Sequence, residues 1–221
     1  VKDDERTIMT NFFNAAFEVM MKLASWVMLL VPVGVFCLIV KVVGETGFGV
    51  FKPLLWYMIT VFLALVIHSF CTLPTLLFVV GRVNPIRWLK AMTPAMLTAF
   101  STSSSSMTLP VTLETIETNG KVSNKITSFV APLGATVNMD GTALYECIGV
   151  IFLAQYYASA GAFELTLGMQ VMVLGTALIA SIGAAGIPSA GLVMMLTILT
   201  ALGLPLEGAA LLLAVDRPLD M

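Results

Sequence analysis

Charge is what this sequence has least of. Only 11% of its 221 residues are Asp, Glu, Lys or Arg, against 58% hydrophobic, and mean hydropathy is +0.98. A soluble domain carries roughly 25% charged residues, so the deficit excludes an ordinary water-soluble globule and points to repeated membrane crossing. The charge that remains is not basic. A net charge of −2 and a pI of about 5.3 exclude the positive surface that nucleic-acid binding needs. Cysteine occurs three times, at Cys37, Cys71 and Cys147, each inside an apolar run. The odd count and the lack of metal-ligand spacing exclude a disulfide framework and read as small buried hydrophobes. There is no initiator Met; Val1-Lys2-Asp3-Asp4-Glu5-Arg6 reads as a polar lead-in rather than a signal peptide. The chain ends at Asp216-Arg217-Pro218-Leu219-Asp220-Met221, directly after an apolar run. Together the two ends suggest an internal stretch of a longer protein.

The few charges divide the sequence into apolar intervals. A helical span needs about 20 apolar residues. Residues 23–40 form one interval, with a helical start reaching back through Glu18 and Lys22, and residues 53–81 form a second. The third, 91–113, has Ser101-Thr102-Ser103-Ser104-Ser105-Ser106 at its centre. The fourth, 126–163, is interrupted by Asp140 and Glu146; the fifth, 165–206, is 42 residues long, twice the length of a span. Its centre, Ser181-Ile182-Gly183-Ala184-Ala185-Gly186-Ile187-Pro188, is again small and helix-breaking. Irregular backbone survives at membrane depth only where protein buries it or water reaches it. Two half-length helices meeting at a buried tip, a re-entrant hairpin, account for both intervals.

Loop charges support that arrangement. With two hairpins, one face receives Lys2, Arg6, Arg82, Arg87, Lys90, Lys121 and Lys125. The other receives only Lys41 and Lys52, with Glu45, Glu164 and Glu207. The positive-inside rule then places the N-terminus in the cytoplasm. A hairpin followed by a helix (86–158) is succeeded by a second such pair (166–221) entering from the opposite face. Inverted repeats with broken segments in matching positions point to a secondary transporter with its site at mid-membrane. The expected fold class is therefore an all-α integral membrane protein, an inverted-repeat transporter with two re-entrant helical hairpins and broken transmembrane helices.

Three polar clusters stand out. Asn138-Met139-Asp140-Gly141-Thr142 lies within the fourth interval. A central Asp costs about 2.5–3.5 kcal/mol on insertion scales, so it must face a partner or water. Gly141 is expected to loosen the helix where Asn138, Asp140 and Thr142 supply oxygens, freeing the carbonyls of Gly134 and Asn138. Several oxygens without sulfur or imidazole suit a hard cation, and Na⁺ follows by the same logic; the alternative is an aspartate hydrogen-bonded within the bundle. Asp216 and Asp220 share one helical face and repel unless a cation or ammonium group lies between them. Asp220, read as the deeper, is the candidate ammonium ligand; the alternative is that both cap an exposed helix start. The serine run reads as a polar tip, whose hydroxyls and amides at half-helix N-termini suit a carboxylate. His68, alone in an apolar run, reads as a satisfied buried histidine, and the 14 methionines as apolar filler.

Three stretches carry a resemblance. They are Thr102-Ser103-Ser104-Ser105-Ser106-Met107-Thr108-Leu109-Pro110, Asn138-Met139-Asp140-Gly141-Thr142-Ala143-Leu144-Tyr145, and Ala180-Ser181-Ile182-Gly183-Ala184-Ala185-Gly186-Ile187-Pro188. In this order they resemble the glutamate/neutral amino acid transporter family, the dicarboxylate/amino acid:cation symporters, along nearly the whole chain. The resemblance implies a scaffold-type helix five at 1–50, helix six at 51–85 and hairpin one at 86–120. A broken helix seven at 121–160, hairpin two at 161–206 and the start of helix eight at 207–221 complete it. It implies that Ser103, Ser104 and Ser105 meet a substrate carboxylate and that Thr142 touches the substrate side chain. Met139 would lie between substrate and sodium, Ile187 and Gly191 would cover the substrate, and Asp220 would bind its amino group. Asp140 and the Asn138 side chain would hold one sodium, and the carbonyls of Gly134 and Asn138 another. Carbonyls of Thr136, Ser181, Ile182 and Ala184 would hold a third. Glu146 matches a glutamate that carries a proton in animal acidic amino acid members.

The chain also departs from the family pattern. Many prokaryotic members have an arginine where Ser103 stands, and animal members one where Met221 stands; this sequence has neither, and Pro218 is unexpected inside helix eight. The residue that separates acidic from neutral substrates in the family falls just past Met221. The resulting expectation is a sodium-coupled amino acid symporter, acidic or small neutral, working by alternating access in the cell membrane as a multi-pass homotrimer among lipid. It would have no resident cofactor, no nucleic-acid partner and no enzymatic activity. The rivals are a proton-coupled dicarboxylate carrier, which lacks the amino-group ligand, a cation channel, and an intramembrane aspartyl protease, whose Gly-x-Gly-Asp signature is absent.

Overall fold

The structure, a computed structural model, describes residues 3–159, 161 and 164–221. Lys2 and the side chains of Glu45 and Glu207, counted in the loop-charge argument, lie outside the described residues. So do residues 160, 162 and 163, at the expected junction of helix seven and hairpin two. Every regular element among the described residues is helical. The chain divides into two compact units, Val1–Gly47 and Phe48–Met221.

The first unit contains α1 (Asp3–Thr46), a single helix of 44 residues with Pro32 inside it. Large apolar side chains stand exposed along it, among them Phe12, Trp26, Leu29 and Phe36. A helix that shows this much hydrocarbon to its surroundings requires lipid or protein around it, not water.

In the second unit, Phe51–Val79 forms one continuous apolar stretch of 29 residues, long enough to cross a bilayer. It comprises α2 (Phe51–Ile67), a π-helical turn (His68–Thr72) and α3 (Leu73–Val79). The turn widens where Leu73 N–H bonds the His68 carbonyl, five residues back, just ahead of Pro74. Proline offers no N–H and crowds the carbonyl four residues before it, so a wider turn relieves the conflict.

Next come α4 (Pro85–Thr102) and α5 (Ser105–Thr118), packed against each other across a two-residue break. Ser103 takes the left-handed conformation (φ 51°), and the Ser104 hydroxyl accepts the Met107 N–H at 3.2 Å, capping α5. Helix α6 (Asn124–Val137) packs on α5 and stops at Asn138 (φ −87°, ψ 61°). Helix α7 (Asp140–Ser159) then starts with the Asp140 carboxylate in its first turn, where the helix dipole favours negative charge.

This corrects the expected position of the break. The interruption falls at residues 138–139, and Gly141 is helical within α7. It faces α2, where a Cβ would make ordinary van der Waals contact with Leu65 Cδ2 at 3.8 Å.

Helices α8 (Leu167–Ile182) and α9 (Ala190–Ala201) form a second contacting pair joined by the irregular segment 183–189, and α10 (Ala209–Asp220) follows a short 3-10 turn. Helix α7 lies at the centre, packed by α2, α8 and α9. The core gathers Val61 of α2, Val150 and Leu153 of α7, Met195 and Leu199 of α9 and Leu212 of α10, all fully buried. Close helix approach is set by Gly149, where a Cβ would run into the Met195 thioether and lie 3.4 Å from Leu212 Cδ1. Gly149→Val is therefore expected to destabilise the protein by about 1–3 kcal/mol through overpacking, read as a lower melting temperature in detergent. Adding Met195→Ala should recover part of that loss.

Candidate functional site

The three polar stretches of the sequence meet in space. A cavity of about 170 Å³ is lined by Ser103, Ser104 and Ser105 from the α4–α5 break, Met139 and Thr142 from the α6–α7 break, and Ile187, Gly191 and Asp220. All eight candidate substrate residues therefore share one wall system. Helix geometry explains why: each break places small or polar residues where two half-length helices end, and the ends converge.

The hydroxyls are not equally free. Ser104 is 4% exposed, and its hydroxyl donates to the Gly186 carbonyl at 2.5 Å. The Ser106 N–H donates to the same carbonyl at 3.1 Å. Ser103 Oγ is buried and makes no hydrogen bond. At the other end, Asp220 Oδ2 accepts the Ser189 N–H at 2.9 Å, with Arg217 Nη1 at 3.8 Å. Thr142 lies over Met139, Oγ1 to Sδ 3.7 Å. Gly191 brings α9 close to α7, since a Cβ there would lie 3.1 Å from the Tyr145 ring and 3.2 Å from Thr142 Cγ2. The chamber is thus lined by the Ser103–Ser105 stretch, the Asp220 carboxylate, and Met139, Ile187 and Gly191.

The candidate cation residues are placed differently. Asn138, Thr136 and Asp140 are exposed, with 49% of the Asp140 side chain accessible. Gly134 accepts the Asn138 N–H at 3.1 Å, and the Asn138 amide folds back over Gly134. Ser181 and Ala184 are buried, whereas Ile182 is exposed; the Ser181 carbonyl accepts the Ala184 N–H. Helix α6 packs on α8, so the two donor stretches belong to neighbouring helices. No cluster of three or more His, Cys, Asp or Glu side chains occurs among the described residues. The oxygen donors are carbonyls, one amide and the Asp140 carboxylate, the last with the His68 imidazole beside it.

Two contacts were not visible in the sequence. His68 Nε2 on the π-helical turn pairs with Asp140 Oδ2, so the histidine is satisfied but only half-buried, and its partner is the central aspartate. Tyr145 donates its hydroxyl to Asp216 Oδ1 at 2.7 Å. Asp216 is 2% exposed and is the more buried of the two α10 carboxylates. The reason is packing: α10 turns its Val215–Asp216 side to α7, while Asp220 borders the cavity. Glu146, on α7, is fully buried with neither carboxyl oxygen hydrogen-bonded. A further cavity of about 400 Å³ adjoins the first and adds Phe62, Leu65, Ser69 and Phe70 of the second helical stretch, a wall that no motif announced.

Apolar helices whose interruptions converge on a small polar chamber define a class of protein, a helical membrane transporter. The chain belongs to the sodium:dicarboxylate symporter family, which it matches over residues 1–221. It is 45% identical over 214 residues to excitatory amino acid transporter 3 of Oryctolagus cuniculus, covering 96% of this chain and 40% of that protein. It is 47% identical to the putative sodium-dependent excitatory amino acid transporter glt-4 of Caenorhabditis elegans, covering 96% and 42%. Against excitatory amino acid transporter 2 of Homo sapiens it is 46% identical, covering 98% and 38%. The chain spans about two fifths of the length of these relatives. Family and relatives are transporters, not enzymes.

The buried Tyr145–Asp216 pair supplies a stability test. Tyr145→Phe leaves a buried carboxylate without its donor and is expected to cost about 1–3 kcal/mol, measured as a lowered thermal midpoint in detergent. Asp216→Asn, which keeps an acceptor for the tyrosine, should cost less.

Proposed function

We propose that this chain forms the ligand-carrying part of a sodium-coupled amino acid symporter that works by alternating access. One observation carries the reading: the chamber between the broken helices is lined both by the hydroxyl-bearing Ser103–Ser105 and by the Asp220 carboxylate. A zwitterionic α-amino acid is complementary to that polarity, its carboxylate toward Ser103–Ser105 and its ammonium toward Asp220. The apolar wall of Met139, Ile187 and Gly191 would hold the carbon skeleton, and Thr142 its side chain. Names of relatives that specify excitatory amino acid transport favour acidic substrates such as glutamate or aspartate over small neutral ones. The carboxylate facing the ammonium position favours an amino acid over the proton-coupled dicarboxylate alternative.

Sodium would bind at Asp140 and Asn138, at the carbonyls of Gly134 and Asn138, and at those of Thr136, Ser181, Ile182 and Ala184. Asp140 is half-exposed, and an ion there would share or displace the contact between its Oδ2 and His68. Ordering of the 183–189 segment by its carbonyl ligands would link the ion to closure, and substrate would raise sodium affinity by the same factor. Glu146, buried without a hydrogen-bond partner, suits a proton carrier, because a buried carboxyl with no cation beside it costs least when protonated.

Two contacting helix pairs, each broken beside a left-handed serine (Ser103, φ 51°; Ser189, φ 60°), support reading 86–120 and 161–206 as re-entrant hairpins in an inverted repeat. In the same reading, 1–50 is a scaffold helix, 51–85 and 121–160 are spanning helices, and 207–221 begins another. The assembly is a homotrimer in the cell membrane, surrounded by lipid.

Uptake into proteoliposomes containing the intact transporter tests this. Replacing external sodium by choline should abolish uptake of glutamate or aspartate. Asp140→Asn should raise the sodium concentration for half-maximal uptake about tenfold, equivalent to about 1.4 kcal/mol. Uptake driven by a proton gradient in choline, with succinate preferred over amino acids, would instead support the dicarboxylate carrier.

A further inference from the structure

We propose that the base of the α4–α5 pair, the end away from the chamber, is a docking face for anionic phospholipid headgroups of the cytoplasmic leaflet. Between residues 82 and 125 the sequence holds five cations, Arg82, Arg87, Lys90, Lys121 and Lys125, against two carboxylates, Glu114 and Glu117. The fold brings the cations to one end. The loop after α5 lies back over the first turns of α4: Asn119 Nδ2 donates to the Ala91 carbonyl at 3.1 Å, and a Cβ on Gly120 would lie 3.2 Å from the Trp88 ring. Arg87 and Lys90 flank Trp88 in sequence and lie one turn apart on α4. Lys121 follows Gly120, and Lys125 stands in the first turn of α6. All five are exposed, and none enters an ion pair among the described residues. Glu117 instead accepts the Asn124 side-chain amide at 2.7 Å. Arg82 and Lys121 hold the left-handed conformation (φ 52° and 59°), where glycine would be the less strained residue.

The surroundings of the charge select the partner. Val83, Ile86 and Ile126, each next to one of these cations in sequence, are exposed, and so is Phe129, one turn beyond Lys125. Trp88 among them is half-buried. Cations interleaved with bare hydrocarbon and a tryptophan fit the boundary where acyl chains meet phosphate. An acidic protein or a nucleic acid would neutralise the charge and leave the hydrocarbon in water. Guanidinium groups offer paired donors to phosphate oxygens, and ammonium groups add point charges. The loop charges assign this end to the cytoplasm, the side on which anionic lipid gives the membrane its negative surface potential. At their other end α4 and α5 carry Ser103–Ser105, so headgroups hold the pair by its base while its tip lines the chamber. The inference rests on the membrane reading above and not on the substrate.

Native mass spectrometry of the intact transporter, titrated in detergent with phosphatidylglycerol or phosphatidylcholine, tests this. Phosphatidylglycerol should bind about tenfold more tightly than phosphatidylcholine. Arg87→Gln combined with Lys121→Gln should weaken phosphatidylglycerol binding about 25-fold, about fivefold for each charge removed, and leave phosphatidylcholine within about twofold. Arg87→Lys combined with Lys121→Arg keeps the charge and should stay within about threefold of wild type. Lys52→Gln, on the face with few cations, should do the same. Equal affinity for the two lipids overturns the inference, as does a neutral double variant that binds phosphatidylglycerol like wild type. An equal loss from Lys52→Gln overturns it too, because the site would then not be local. Displacement of the lipid by millimolar glycerol 3-phosphate would make the patch a site for free phosphate esters and also overturns it. No step measures uptake, so the lipid titration judges the patch separately from the transport reading.

Discussion

A helix that stops inside hydrocarbon leaves amide and carbonyl groups that no solvent can satisfy. This chain stops helices repeatedly, at residues 103–104, 138–139 and 183–189, and the structure follows from where those groups find partners. Ser104 caps α5 from within the break, and the second tip delivers the Gly186 carbonyl to Ser104 and Ser106. Asp220 takes the Ser189 N–H. The chamber is what remains between breaks that have satisfied one another. Its polarity is inherited from the helix ends around it.

The same constraint organises the core. Helix α7 is apolar on most sides and can be central only if a small residue lets its neighbour approach, as Gly149 does for Met195. Its few polar groups are then committed. Tyr145 holds Asp216, and Asp140 at the amino-terminal end takes His68. Glu146, next to Tyr145, lies buried without a hydrogen bond, a costly position for a polar side chain.

Legibility differed between the chamber and its surroundings. Ser103–Ser105, Met139, Thr142, Ile187, Gly191 and Asp220 were singled out as residue types, and all border one cavity. The charge-free intervals anticipated the helices, and Phe51–Val79 matches its interval of 53–81 closely. The break near Asp140 falls at residues 138–139 rather than at Gly141, because one glycine is tolerated inside a helix and α7 begins at Asp140. Which of Asp216 and Asp220 is the more buried carried no signal, since two carboxylates on one face look alike until a tyrosine on another helix selects one. The wall from Phe62 to Phe70 carried no signal: an apolar side chain facing lipid and one facing a cavity have the same chemistry.

Contiguous residues alone determined that this is a helical membrane protein, where its helices are interrupted and which chemical groups stand at the interruptions. Hydropathy and backbone preference act over a few turns, so a local stretch carries them. Only the tertiary structure decided which donor meets which acceptor: Tyr145 with Asp216, His68 with Asp140, and Ser104 with Gly186, pairs 71, 72 and 82 residues apart. No periodicity links residues so distant. Their meeting depends on how whole helices pack, and that packing is a property of all the side chains together.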